Sequence, residues 1–192
     1  MNLLRVYDLE NIPNKYLVKL SDKILLNYKF VKYLNVSNNE KITNINHMNK
    51  LIKLNASGKS GITDNGIKKL NLKILCADNN PRITDVNHMN NLVELYANGK
   101  SGINDDGIKK LNLQKLWVNN NPLITNINHM HNLIDLCANE NCGINDDGIK
   151  KLNLQKLGTN DNTKITNVNH MYNLIELGAC GNIFFCKKNI NP

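Results

Sequence analysis

The sequence predicts an α/β solenoid, with short coils stacked on one another, a parallel β-sheet along one side and short helices or turns along the other. Three observations predict it. The segments VKYLNVSNNEKITNINHM from Val31, LKILCADNNPRITDVNHM from Leu72, LQKLWVNNNPLITNINHM from Leu113 and LQKLGTNDNTKITNVNHM from Leu154 recur every 41 residues. A second leucine pattern starts at Leu51, Leu92, Leu133 and Leu174, which divides each period into steps of 20 and 21. A unit that short cannot bury its own apolar face, so successive units have to share one interior.

The strand comes first in each unit. Leu72, Leu75 and Ala77 give the apolar alternation of a short strand buried on one face, and Asn80 follows where the chain turns away. Strands at the same phase of successive coils run parallel. An asparagine at that turn can satisfy backbone groups that no ladder reaches, which explains the row Asn39, Asn80, Asn121 and Asn162.

The second element is a short helix in the longer units. In INDDGIKKLN, Asn104 is placed to cap it, Asp105 and Asp106 fall in its first turn, and Lys109 and Lys110 in its last, a charge order that suits the helix dipole. Because turns and helices need more room than the roughly 5 Å strand step, the sheet is expected on the concave side and the helices on the convex side.

The ends complete the organisation. Residues 1–30 form an N-terminal cap, in which LVKLSDKILLNY reads as a degenerate copy of GITDNGIKKLN. The array of about eight repeats runs over residues 31–182. Residues 183–192 are a C-terminal cap or tail, where Ile183, Phe184 and Phe185 can cover the last coil or join a second copy end to end as a homodimer.

The pattern L-x-x-L-x-(A/V)-x-x-N across residues 31–182 resembles leucine-rich-repeat proteins. The units ending in ITNINHM resemble the short phosphatase-regulator and bacterial repeats. Those containing ITDNGIKKL and INDDGIKKL resemble the cysteine-containing repeats of F-box substrate receptors, although Lys59 and Lys100 stand where that pattern has Asn or Cys, which puts the turn bonding there in question. The Asn- and Lys-rich, nearly identical repeats are also similar in composition to those of protists and large amoebal DNA viruses. The resemblance implies the solenoid fold and leaves the task open. Fold alone does not name the partner.

Composition narrows the class further. No apolar run approaches the roughly 20 residues of a membrane helix, and the N-terminus lacks a signal pattern, so a cytoplasmic protein without membrane attachment is expected. The same expectation makes the acceptor patterns at Asn35 and Asn55 incidental and the five cysteines reduced thiols. A net charge of +8 favours polyanions, and Lys68, Lys69, Lys109, Lys110, Lys150 and Lys151 form a convex ridge that could serve nucleic acid or an anionic surface. Interleaved aspartates weaken that field and no aromatic platform accompanies it, so nucleic acid is the lesser reading.

Catalytic, metal and cofactor patterns fail in turn. His47, His88, His129 and His170 recur once per two coils, about 10 Å apart, too far to share an ion, and read as structural. His131, Asp135, Cys137 and Cys142 match no zinc spacing. The Gly-Lys-Ser of ASGKSGIT and ANGKSGIN lacks the upstream glycine of a phosphate loop. Glu94, Asp135 and Glu176 have no partner acid in sequence, so no enzyme is expected.

A solenoid fixes its core positions but leaves outward strand positions free to vary. The third positions read Tyr33, Lys53, Ile74, Glu94, Lys115, Asp135, Lys156, Glu176, and the fifth read Asn35, Asn55, Cys76, Tyr96, Trp117, Cys137, Gly158, Gly178. One phase of neighbouring strands stacks about 5 Å apart, which sets Tyr96 beside the single tryptophan, Trp117. The expected partner-binding surface is therefore Tyr33, Lys53, Ile74, Glu94, Tyr96, Lys115, Trp117 and Asp135, centred on the two aromatics. The competing reading is an aromatic pair that only covers the sheet.

Overall fold

The structure, a computed structural model, describes residues 8–9 and 20–178. Among these, nine strands form one parallel sheet in chain order: β1 (Asp8–Leu9), β2 (Tyr33–Asn35), β3 (Lys53–Asn55), β4 (Ile74–Cys76), β5 (Glu94–Tyr96), β6 (Lys115–Trp117), β7 (Asp135–Cys137), β8 (Lys156–Gly158) and β9 (Glu176–Leu177). Parallel neighbours that are also sequence neighbours require a full coil between them, so the chain is a solenoid of units about 20 residues long. The register never slips: Leu34, Leu54, Leu75, Leu95, Leu116, Leu136, Leu157 and Leu177 face one another in turn.

Each strand stops after two or three residues because the eighth residue of the unit turns the chain aside. Asn38, Asn79, Asn120, Glu140 and Asp161 have φ of 54–59°, and Gly58 and Gly99 fill the same position at 66° and 61°. Asn, Asp and Gly tolerate this left-handed backbone, and Glu140 is the exception. Inside the coils, the strand leucines, Ile42, Ile83 and Ile124, Ile45, Val86 and Ile127, and Met48, Met89 and Met130 form one continuous buried core. Each such side chain contributes about 1.5–3 kcal/mol on burial.

The side away from the sheet alternates between helix and turn. Helices α1 (Asp22–Leu25), α2 (Asp64–Ile67), α3 (Asp105–Ile108) and α4 (Asp146–Ile149) are one turn each, too short to persist unaided. They persist because Ile67, Ile108 and Ile149 are anchored in the core and because the Asn104 and Asn145 side chains accept the Gly107 and Gly148 N–H at 3.0 Å. The lysines fall differently from expectation. The third helix ends at Ile108 with Lys109 as its cap, so Lys109 and Lys110 follow the helix instead of filling its last turn. Lys109 and Lys150 reach back to Asp106 and Asp147 at 3.3 and 3.2 Å.

The first three ITNINHM-type turns are clamped between two helical coils. Thr84 gives its N–H and hydroxyl to Asp64 of the coil before (2.8 and 2.6 Å), while Asn87 spans Asp106 O and Lys110 N of the coil after (2.7 and 2.8 Å). The histidines close the same clamp: Nε2 of His47, His88, His129 and His170 lies 3.0–3.3 Å from the carbonyls of Leu25, Ile67, Ile108 and Ile149. A carbonyl only accepts, so Nε2 carries the proton and the structural reading of these histidines holds.

The buried asparagines act as expected. Asn121 Nδ2 donates to Ala97 O and Ile103 O (2.8 and 3.3 Å), and its Oδ1 accepts Leu123 N at 2.9 Å; Asn80 and Asn162 repeat the arrangement. In the longer units the buried position moves one residue on, to Ser60, Ser101 and Cys142. Lys59 and Lys100 stay exposed, and their N–H groups are taken by Asn38 and Asn79 Oδ1 at 3.0 and 3.1 Å, so the substitution of lysine leaves no turn donor orphaned.

One expectation fails. Cys76 and Cys142 form no disulfide, but Cys137 is disulfide-bonded, so the cysteines are not uniformly reduced. A pairing that occurs once leaves no trace in a repeat period. The expected closure by Phe184 and Phe185 lies outside the described residues. Among those residues no helix is long and apolar enough to cross a membrane.

Candidate functional site: the outward face of the sheet

Three rows of side chains run along the sheet, each fixed by strand register. The third-position row is charged in alternation: Glu94, Lys115, Asp135, Lys156 and Glu176 lie opposite one another on consecutive strands. Lys115 Nζ is 3.1 Å from Glu94 Oε1, and Lys156 Nζ is 2.7 Å from Glu176 Oε1. Burial raises the Asp135 carboxyl above its ordinary range, against the pull of Lys115 and Lys156. The hydrogen bond to Glu176 raises Lys156. The three acids and two lysines thus largely offset one another, and pairs this close to solvent add little to stability.

The fifth-position row carries the aromatics. Tyr96 and Trp117 pair in register, with ring centroids 4.9 Å apart and planes at 66°, an edge-to-face contact worth about 0.5–1.5 kcal/mol. Tyr96 Oη donates to Glu94 Oε2 at 3.3 Å, which ties the aromatic row to the charged one. Burial, then the Glu94 charge, pushes the Tyr96 phenol up to about 12. Trp117 Nε1 is buried without a hydrogen-bond partner. Such a donor costs on the order of 1–3 kcal/mol, which an acceptor brought to it would recover.

The third row was not anticipated. Asp78 Oδ1 accepts Asn98 N, Asn98 Oδ1 accepts Asn119 N, Asn119 Oδ1 accepts Asn139 N, and Asn139 Oδ1 accepts Asn160 N, all at 2.8–2.9 Å. This ladder continues the sheet past the last strand residue. Its signal was legible as a seventh position that holds Ser, Asp or Asn in the first seven units: Ser37, Ser57, Asp78, Asn98, Asn119, Asn139 and Asn160.

All eight predicted surface residues are half-buried on this face. Ile74, Glu94, Tyr96, Lys115, Trp117 and Asp135 are brought together on β4 to β7, whereas Lys53 and Tyr33 lie farther along, on β3 and β2. The fifth row is not open throughout, however: Cys137 is 1% exposed and Gly158 is buried.

Elsewhere, the Gly-Lys-Ser turn spends its donors internally, Gly99 N on Asn119 O and Lys100 N on Asn79 Oδ1. An open cleft on the helical side is lined by Asp105, Asp106, Lys109, His129 and Lys151, a mixture of signs rather than a basic groove. Asp135 and Cys137 sit on the sheet, Cys142 in the core and His131 on the surface, and no group of three or more such side chains among the described residues is arranged to hold a metal ion. No protein-family model, curated protein or solved structure matches the chain.

Proposed function

We propose that the chain is a leucine-rich-repeat module, non-enzymatic, that recognises a protein partner through the sheet face as the concave surface of the solenoid, with Tyr96 and Trp117 at the centre. The observation that carries this reading is the half-exposed aromatic pair at mid-sheet with a buried, unpartnered indole N–H. Large aromatics in such positions supply much of the energy of protein interfaces. The self-paired charges beside them fit a rim that selects without driving affinity. Cytoplasmic placement belongs to this reading, and the oxidised Cys137 weighs against it.

The test compares capture from a lysate of the native host by the wild-type chain, by Tyr96→Ala/Trp117→Ala, and by Lys109→Ala/Lys110→Ala. The aromatic variant is expected to lose the partner, about 2 kcal/mol or more, with an unchanged far-UV spectrum. Equal capture by wild-type and aromatic variant overturns the assigned face. Capture lost with the lysine variant and collapsing with salt would instead favour the convex polyanion surface.

A further inference from the structure

The net charge of +8 is not spread evenly along the chain. Residues 74–192 hold eleven basic and eleven acidic side chains, so the whole surplus lies in residues 1–73. Within that half, Lys23, Lys29 and Lys32 are exposed on the coil that carries α1, and Lys50 and Lys73 are exposed on the coils that follow. Strand register sets Lys32, Ile52 and Lys73 in line, each the residue before its strand. Asp22 is the single acid among residues 20–39, and its carboxylate already accepts the Thr43 N–H and hydroxyl and the Asn44 N–H.

Large apolar side chains share the α1 coil with these lysines. Leu25 and Val31 are fully buried and Tyr28 packs partly against the core, which leaves Ile24, Leu26 and Phe30 outside, 40%, 55% and 68% exposed. The other helical coils do without them. Leu25 and Tyr28 make the turn bond that Ile67 and Leu70 make, so the place of Leu26 is held elsewhere by Lys68, Lys109 and Lys150. Both Lys29 and Phe30 stand between Tyr28 and Val31, whereas Asn71 alone separates Leu70 from Leu72. The stack therefore closes without Leu26 or Phe30. Three exposed apolar side chains within seven residues form a patch, unlike the single exposed leucines of an ordinary surface.

We infer that the α1 coil is a membrane-surface site, in which Ile24, Leu26 and Phe30 enter the interfacial layer of an anionic bilayer and Lys23, Lys29 and Lys32 around them meet its headgroups. Such a layer takes both kinds of group side by side: the ring and the aliphatic chains leave water for the acyl boundary, and each lysine near the surface adds attraction to anionic lipid. Nucleic acid answers the charge and the ring but leaves Ile24 and Leu26 unused, because phosphates meet cations and bases stack on rings. A surface site needs no spanning helix, and none is present among the described residues. Tyr96 and Trp117 lie beyond it on β5 and β6, so neither this site nor the sheet-face reading rests on the other.

The test is co-sedimentation of the full chain with vesicles of phosphatidylcholine alone and with about 30% phosphatidylserine added. Binding is expected on the anionic vesicles only. Leu26→Ser/Phe30→Ser and Lys29→Gln/Lys32→Gln should each weaken it roughly ten-fold with an unchanged far-UV spectrum, while Lys100→Gln/Lys151→Gln, an equal loss of charge in the balanced half, should change it by less than about two-fold. A second measurement does not depend on weakened variants. In Phe30→Trp/Trp117→Phe the sole indole should shift its emission to the blue on anionic vesicles and be quenched by brominated lipid. No binding to anionic vesicles, binding that the serine variant retains in full, or an indole that neither shifts nor is quenched overturns the site. So does a single-stranded oligonucleotide that binds where the vesicles do not.

Discussion

Asp105 and Thr125, twenty residues apart, are joined twice: the carboxylate accepts the Thr125 N–H at 2.8 Å and its hydroxyl at 2.6 Å. A third bond runs from Asn126 N at 3.2 Å. The same pairing joins Asp22 to Thr43, Asp64 to Thr84 and Asp146 to Thr166. A side chain that opens one coil's helix thus fixes the turn of the next coil, so neighbouring coils are tied on the side where they share no strand ladder.

Replacing Asp105 with alanine is therefore expected to cost about 1–2 kcal/mol, since three donors lose a charged acceptor but regain water at an exposed site. Thr125→Val should cost about half of that. Urea unfolding monitored by circular dichroism reads both as a lower midpoint at constant slope. The pH dependence follows from Asp146, whose carboxyl is held below its ordinary value first by the Thr166 hydroxyl and then by the Asn167 and Thr166 N–H groups. A depressed folded value means that the contribution is complete above the unfolded value near 3.8 and is lost as pH falls through the folded one. Asp146→Asn should flatten this acid limb of the stability curve.

Which of these relationships the chain discloses in advance depends on whether they lie within a coil or between coils. The buried asparagines and the meeting of Tyr96 with Trp117 follow from period and alternation alone, because a constant step of 20 or 21 places equal phases side by side. The aspartates do not follow. Capping and dipole arguments look along one helix, and the acceptor role of Asp105 needs to know that Thr125 of the next coil lies beside it. The disulfide at Cys137 escapes for the opposite reason, since it occurs once and periodicity carries only what recurs.

Asn121→Leu should be among the costliest polar substitutions, about 3 kcal/mol or more. It leaves the Ala97 and Ile103 carbonyls and the Leu123 N–H without their partner in a region closed to water. Asn119→Ala, in the outward ladder, removes one acceptor near solvent and should cost about 1 kcal/mol. Equal losses at the two sites, measured by denaturant unfolding, would mean that burial does not set the difference.

Gly107 sits inside a helix, where glycine is usually a liability, because the neighbouring coil comes too close for anything larger. A Cβ there would lie 1.9 Å from the Thr84 carbonyl oxygen, and neither atom can swing away as a flexible side chain would. Gly107→Ala is expected to destabilise by about 3 kcal/mol despite its better helix propensity, because two coils have to part. A thermal midpoint equal to or above that of the wild type would refute this close approach.

Tyr96 offers the most direct measurement on the proposed surface. Its phenol is raised from 10.0 to about 12, first by burial and then by Glu94, which repels the phenolate and holds the neutral hydroxyl at 3.3 Å. The fold favours the protonated phenol, so its contribution is intact below pH 10 and is lost as pH climbs toward 12. The absorbance difference between wild type and Tyr96→Phe should therefore titrate well above the ordinary phenol. Glu94→Gln removes the charge and keeps the cover, whereas Trp117→Ala removes the ring 4.9 Å away that supplies part of the cover. Burial is the first cause and Glu94 acts both by its charge and through the hydrogen bond, so each variant should lower the midpoint. A midpoint unmoved by Trp117→Ala would mean that the aromatic edge contributes little shielding, and with it little of the dry surface that a partner would meet there.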